Sequence, residues 1–421
     1  MPNLNSPLKM GAILLKNRNV MASLTRNRSV PTSIPNTVNT EYYAQRAMGG
    51  AGLILTEGTL IAQQGTEWPH AAGIWSNEHV AGWSHVTKAV HEAGGQIFAQ
   101  LWHLGRVSHP DMPEQIRSGQ PVYGPSAIAA RGGKFRQLPG QPGYVTPTAI
   151  EDPWALIELY RNAATKAKAA GFDGVELHSA NGYLVHQFLD SGANKRTDQW
   201  GGSAENRCRF GVEALKALLE TWEPGRVGIK LNPCGGARFA FTSFNALLLL
   251  CAGYNDVGMP LGETKETYGH YIEEISKLRL AYVQLVNYSP VFDPELDGKK
   301  RATPHDVLET YGPLIDREHT AFLLNGGLTP NTANHLISSG KIDAAVFGSS
   351  WIAQPDFQRR VEAEISDEVV GKIDYTTLYN PPPGSSPRTG YSDYEFATPL
   401  TDAEKKRLTD LKEEALNVVS Q

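Results

Sequence analysis

Eight short apolar runs punctuate the chain from Val20 onward, each closing near glycine or polar residues. They are VMAS at Val20, LILTE at Leu53, QIFAQL at Gln96, GVELH at Gly174, VGIKL at Val227, AYVQL at Ala281, AFLLN at Ala321 and AAVFG at Ala344. Helix-like segments separate them. Asp152 before Pro153 predicts an N-cap and first helical residue, Leu156, Leu159 and Ala163 continue a helical stripe, and Gly171 ends the segment just before the run at Gly174. Strict alternation of strand and helix predicts parallel pairing with right-handed crossovers. Eight such units without a break between halves favour an α/β fold closed as a (β/α)8 TIM barrel over an open doubly wound sheet.

The connections add three features to a single predicted domain over 1–421. A Gly- and Pro-rich loop at 102–150 has the length of a lid or binding loop, with a passive surface excursion as the alternative. A C-terminal extension at 380–421 begins with prolines that oppose regular structure. It ends in a helix opened by the capping-box pair Thr401 and Glu404, whose stripe of Leu408, Leu411 and Ala415 would dock on the barrel or on a second subunit. The third is an anomalous insert at 237–253, ARFAFTSFNALLLLCAG, set between LNPCGG and YNDVGMP; Arg238 is its one charge, and it holds four consecutive leucines. We read it as the translation of a retained short intron, with a lid or partner-binding helix as the alternative.

Composition narrows the function. With 421 residues, 41% apolar and 20% charged, the chain can bury a large core. A formal net charge of -5 offers nothing to nucleic acid or an anionic membrane. Cys208, Cys234 and Cys251 are an odd, scattered set, which argues against a disulfide framework, a zinc knuckle or an iron–sulfur cluster. The start MPNLNSPLKMG lacks signal-peptide character, and the greasy run Ala246 to Ala252 is too short to span a bilayer. A cytoplasmic small-molecule enzyme, monomer or homodimer, is expected.

Candidate chemistry gathers where strands end. In GVELHSANGYLVHQFLD, His178, Asn181 and Tyr183 follow the strand at once, where parallel α/β proteins build their sites. Spacing alone leaves a second reading open, with His178 and Asn181 capping the next helix and Tyr183 packing. The other strand ends carry Thr25 with Arg26, Glu57 with Gly58, Gln100 with Trp102, Lys230, and Gly326, Gly327 and Gly348. This set offers hydrogen-bond donors, one cation on the fifth strand, and small residues after strands seven and eight, where barrels cradle phosphate. Paired carboxylates, a Ser–His–Asp order, an HExxH motif and an activated cysteine are all missing from the pattern, so the chemistry is a cofactor's.

The sequence resembles the old yellow enzymes, FMN-dependent ene-reductases of the NADPH dehydrogenase type. The resemblance spans most of the chain: ASLTRNR at Ala22, EYYAQRA at Glu41, TEGTLI at Thr56, AQLWHLGR at Ala99, GFDGVELHSANGYL at Gly171, NKRTDQWGGSAENRCRF at Asn194 and FGSSWIAQPDF at Phe347. It implies FMN across the C-terminal face of the barrel and NADPH as electron donor. It assigns flavin contacts to Ser23, Thr25, Gly58, Gln100, Lys230, Gly326, Gly327, Gly348 and Ser349. His178 and Asn181 would grip a carbonyl or nitro oxygen of an enone substrate, Tyr183 would donate the proton, and Trp102 would wall the pocket. Four positions depart from the family: Ser23 where many members have Pro, Lys230 where many have Arg, Trp200 where Tyr is common, and Ser349 where a phosphate-clamping Arg is usual. Salt-sensitive loss of flavin is expected unless another cation substitutes, and sequence does not place Lys9, Arg26 or Lys341. The implied reaction is reduction of activated C=C bonds; the alternatives are a flavin-binding protein with impaired turnover and a specialised biosynthetic reductase or isomerase.

Overall fold

The computed structural model describes residues 1–131, 143–235, 254–290, 293, 300–365 and 373–419. The insert at 237–253 and the middle of the 102–150 loop lie outside the described residues.

All eight sequence-predicted runs become barrel strands: β1 (Asn19–Met21), β2 (Leu53–Leu55), β3 (Ile97–Trp102), β4 (Gly174–Ser179), β5 (Val227–Leu231), β6 (Tyr282–Val286), β7 (Ala321–Asn325) and β8 (Ala344–Phe347). Neighbours pair in parallel in that order, and β8 on β1 closes the ring. The two-residue period of each strand sorts its side chains. On β4, Val175 and Leu177 face the surrounding helices and belong to the large core between barrel and helices. Phe98, Tyr282, Leu323 and Val346 share an inner cluster with Met10, Ile13 and Leu15 of an N-terminal hairpin. That hairpin, Leu8–Met10 with Ile13–Leu15, plugs the barrel end opposite the strand C-termini; Ala12 N–H donates to Gly225 O at 2.9 Å, just before β5. Gly228 makes room for the Tyr282 ring inside the barrel, since a Cβ there would sit 2.2 Å from Tyr282 Cζ.

The helices begin where their caps predict. In Pro153–Ala169, the Asp152 side chain accepts from Trp154 N–H at 2.9 Å. The C-terminal helix Asp402–Val419 starts on the expected capping box, with Thr401 N–H donating to Glu404 Oε2 at 2.8 Å and Glu404 N–H to Thr401 Oγ1 at 3.2 Å. Leu408 and Leu411 settle its docking: they bury against Ala44, Met48 and Ala89, on helices Thr37–Met48 and Asn77–Glu92 of the same chain.

Between barrel and C-terminal helix, the proline-rich segment is tied down by two buried arginines rather than by secondary structure. Arg28 donates to the carbonyls of Thr377 (2.6 Å), Pro387 (3.0 Å) and Thr389 (3.2 Å). Arg26 donates to Leu378 O at 2.9 Å and to Gly390 O. Arg388 forms a two-pronged pair with buried Glu41, and Tyr391 stacks on Tyr42 at 4.0 Å. Backbone carbonyls that no helix or strand satisfies thus find charge-assisted partners.

Candidate active site

At the C-terminal mouth of the barrel lies a cavity of about 250 Å³. Ser23, Thr25, Gly58, Gln100, Trp102, His178, Asn181, Tyr183, Lys230, Gly326, Gly327, Gly348 and Ser349 all line it. Residues spread over more than 300 positions of sequence therefore converge because every parallel strand delivers its C-terminal residue to the same face.

His178, Asn181 and Tyr183 come from β4 and the turn after it. The short helix Leu184–Leu189 has Tyr183 as its N-cap, with no side-chain capping bond, so His178 and Asn181 are not caps. Asn181 takes a left-handed backbone, φ 55°, which carries the chain sharply out of the strand. Its Oδ1 accepts from Asn232 Nδ2 at 3.2 Å, and its backbone oxygen accepts from Asn255 Nδ2. With the oxygen engaged, the amide N–H groups of Asn181 remain to donate. Those two asparagines flank the insert, so both ends of that loop grip the turn.

His178 is almost fully buried. Burial, then Lys230 and His186, hold its imidazole well below the usual histidine range, so it is neutral. Ala180 N–H donates to its Nδ1 at 3.3 Å, which leaves the proton on Nε2 as a neutral donor. The Tyr183 ring stands edge-on to His178 (5.0 Å, 89°) and to Trp102 (4.9 Å, 82°). A Cβ at Gly58 would lie 2.4 Å from Trp102 Cε3, so glycine there lets the indole seat against the strand.

The floor of the cavity is polar. Ser23 Oγ donates to Gln100 Oε1 at 2.6 Å, and Gln100 Nε2 donates to Glu176 Oε1 at 2.6 Å. Lys230 is 6% exposed, and no ion pair or hydrogen bond of its ammonium is found among the described residues. Burial pushes its pKa down while Glu176 pulls it up. On the β7 and β8 side, Gly326 and Gly327 adopt φ of 99° and 69°, and nothing lies within 4 Å of where a Gly327 Cβ would be. Ser349 is exposed there. None of the three candidate cations serves that end: Lys341 pairs with Glu309 at 3.0 Å on the surface, Lys9 sits on the hairpin at the far end of the barrel, and Arg26 is spent on the carbonyls of Leu378 and Gly390.

Several lining residues escaped sequence reasoning. Trp68, Leu378, Tyr379 and Asn287 face the same cavity. Tyr379 packs on Trp68 at 4.5 Å and joins an apolar cluster with Trp102 and Tyr183 to which Ala130 and Tyr144, from the 102–150 loop, also belong. No period or motif marks an aromatic in a proline-rich tail; its place depends on how Arg26 and Arg28 anchor the segment.

Residues 3–254 match the NADH:flavin oxidoreductase / NADH oxidase family. The chain is 34% identical over 412 residues to the NADP-dependent oxidoreductase lnbE of Aspergillus flavus, covering 96% of this chain and 98% of that one. It is 32% identical over 415 residues to the probable inactive reductase easA of Epichloe festucae var. lolii, again 96% and 98%. The solved structure of the old yellow enzyme homologue from Zymomonas mobilis superposes with a TM-score of 0.78 at 32% identity, over 95% of this chain and 100% of that one.

Proposed function

Because the chain belongs to the FMN-dependent NADH:flavin oxidoreductase / NADH oxidase family, the old yellow enzymes, we propose that it reduces the activated C=C bond of α,β-unsaturated carbonyl or nitro compounds, with NADPH as donor. One observation carries the reading. A neutral imidazole donor, an amide with its oxygen already engaged and a phenol all line the cavity that also holds a buried ammonium.

The residues present fit FMN. Among the described residues Lys230 is a buried cation without an ion-pair or hydrogen-bond partner, a costly arrangement unless an electron-rich group meets it. Gln100 and Ser23 would hold the pyrimidine edge with Thr25, and the backbone at Gly326, Gly327, Gly348 and Ser349 would face the phosphate. The chemistry supplied by bound FMN is hydride delivery, from NADPH to the substrate's β-carbon.

The protein's own groups supply the rest. His178 Nε2–H and the Asn181 amide donate to the substrate's carbonyl or nitro oxygen, where negative charge builds as the β-carbon is reduced. Donors already fixed toward that oxygen stabilise the developing charge more than the ground state, and each is worth about 3 kcal/mol. Tyr183 O–H protonates the α-carbon. Trp102, Trp68 and Tyr379 give the pocket apolar walls and exclude water.

The test is an absorption spectrum of purified protein, before NADPH, after NADPH, and after adding cyclohexenone. Bleaching of flavin absorbance by NADPH and its recovery with the enone are expected. A second reading, flavin binding with impaired turnover, draws on Ser349, which carries no charge where the resemblance expects an Arg. Yellow protein that fails to oxidise NADPH would favour it.

A further inference from the structure

Below the cavity floor lies a buried carboxylate that the proposed chemistry does not use. Glu176 points into the barrel from β4 and is fully buried. One oxygen accepts from Gln100 Nε2 at 2.6 Å and the other from the Tyr282 hydroxyl at 2.9 Å. The register of β4 on β5 sets Glu176 opposite Gly228 and His178 opposite Lys230. Glu176 is therefore the diagonal neighbour of Lys230, one layer deeper.

Two consequences follow from carboxylate chemistry. An ionised carboxylate only accepts hydrogen bonds, so Gln100 must turn its NH2 toward Glu176. Its carbonyl oxygen is left for Ser23 and the cavity, an orientation the amide itself does not dictate. Second, a negative charge one layer beneath Lys230 offsets the ammonium as felt from the cavity. On balance the Glu176 carboxyl is raised by burial, and Lys230 with the Gln100 and Tyr282 hydrogen bonds pulls the other way and favours the ionised form.

We propose that Glu176 is a positioning and charge-setting residue for the flavin. It fixes which end of the Gln100 amide meets the pyrimidine edge, and it holds the reduction potential below the value Lys230 alone would impose. The inference rests on the flavin reading above. Two-electron reduction adds negative charge to the ring system, so an ammonium nearby favours reduction and a carboxylate behind it opposes it.

Glu176→Gln keeps the shape of the side chain and removes the charge. The measurement is the midpoint potential of flavin-loaded protein, equilibrated against a reference dye. The expected change is about tenfold in the equilibrium constant for reduction, toward reduced flavin, or about 30 mV for a two-electron couple. Glu176→Asp, which restores the charge, should bring the potential back toward wild type. Should the Gln variant fail to fold, Tyr282→Phe decides: it keeps the ring, deprives the carboxylate of one donor, favours its neutral form and should also raise the potential. An unchanged or lowered potential in the flavin-loaded Gln variant, or in Tyr282→Phe where that variant is the one available, overturns this inference alone. A wild-type chain that binds no FMN overturns the flavin reading with it.

Discussion

Replacing Tyr183 by Phe isolates one step of the proposed reaction. The ring lies edge-on to Trp102 at 4.9 Å and to His178 at 5.0 Å, and phenylalanine keeps both contacts, so the change removes a hydroxyl and little else. His178 cannot take over as proton source, because burial and Lys230 hold it neutral. Loss of a placed general acid slows proton transfer by about 10²–10⁴, which is about 3–5 kcal/mol of barrel-mouth catalysis. Binding should change little, since both oxygen donors remain. Anaerobic stopped-flow separates the halves: flavin reduction by NADPH should keep its wild-type rate, and reoxidation by cyclohexenone should slow by two to four orders of magnitude. Equal slowing of both half-reactions, or an unchanged second one, would refute the assignment.

Gly58→Ala would place a methyl 2.4 Å from the Trp102 ring, with a destabilisation of about 1–3 kcal/mol from overpacking; thermal unfolding and a weakened charge-transfer band with phenols would report it. Ser349→Arg adds a cation where the FMN phosphate is proposed to lie and should tighten FMN about tenfold, with a steeper salt dependence, as one charge-assisted hydrogen bond is worth about 1.5–3 kcal/mol; unchanged affinity by flavin-fluorescence titration would mean that the phosphate lies elsewhere. Burial pushes the Glu57 carboxyl from 4.5 to about 7, against the pull of the Arg26 and Asn27 backbone and of the Arg26 and Arg28 guanidinium groups. Because the folded-state value is the higher, the fold binds more protons than the unfolded chain between those limits. Stability is full below about pH 4.5 and falls by about 3 kcal/mol as pH rises through 7. Glu57→Gln should therefore be more stable than wild type in urea at pH 8 and equal to it near pH 4.5.

The eight strands were legible because a parallel strand buried on both faces must be continuously apolar, and a run such as VGIKL breaks that rule only where Lys230 reaches the cavity. The strand-end residues were legible for the same reason. The outer turn of the site was not. Leu378 and Tyr379 reach the cavity through hydrogen bonds from Arg26 and Arg28 to backbone carbonyls, and a carbonyl has no residue-type signature. Glu176 was hidden differently: one polar residue inside an apolar run reads as alternation, and nothing local says that its partners are Gln100 and Tyr282.

What the sequence determined by itself was the barrel, its order and the set of side chains delivered to its mouth, because strand period and strand count are local properties that parallel pairing turns into one shared face. Only the tertiary structure decided which way those groups work. The neutral state of His178, the engaged oxygen of Asn181, the burial of Lys230 and the docking of the last helix all depend on residues far away in the chain. A hydrogen bond's direction belongs to the pair, and no single residue carries it.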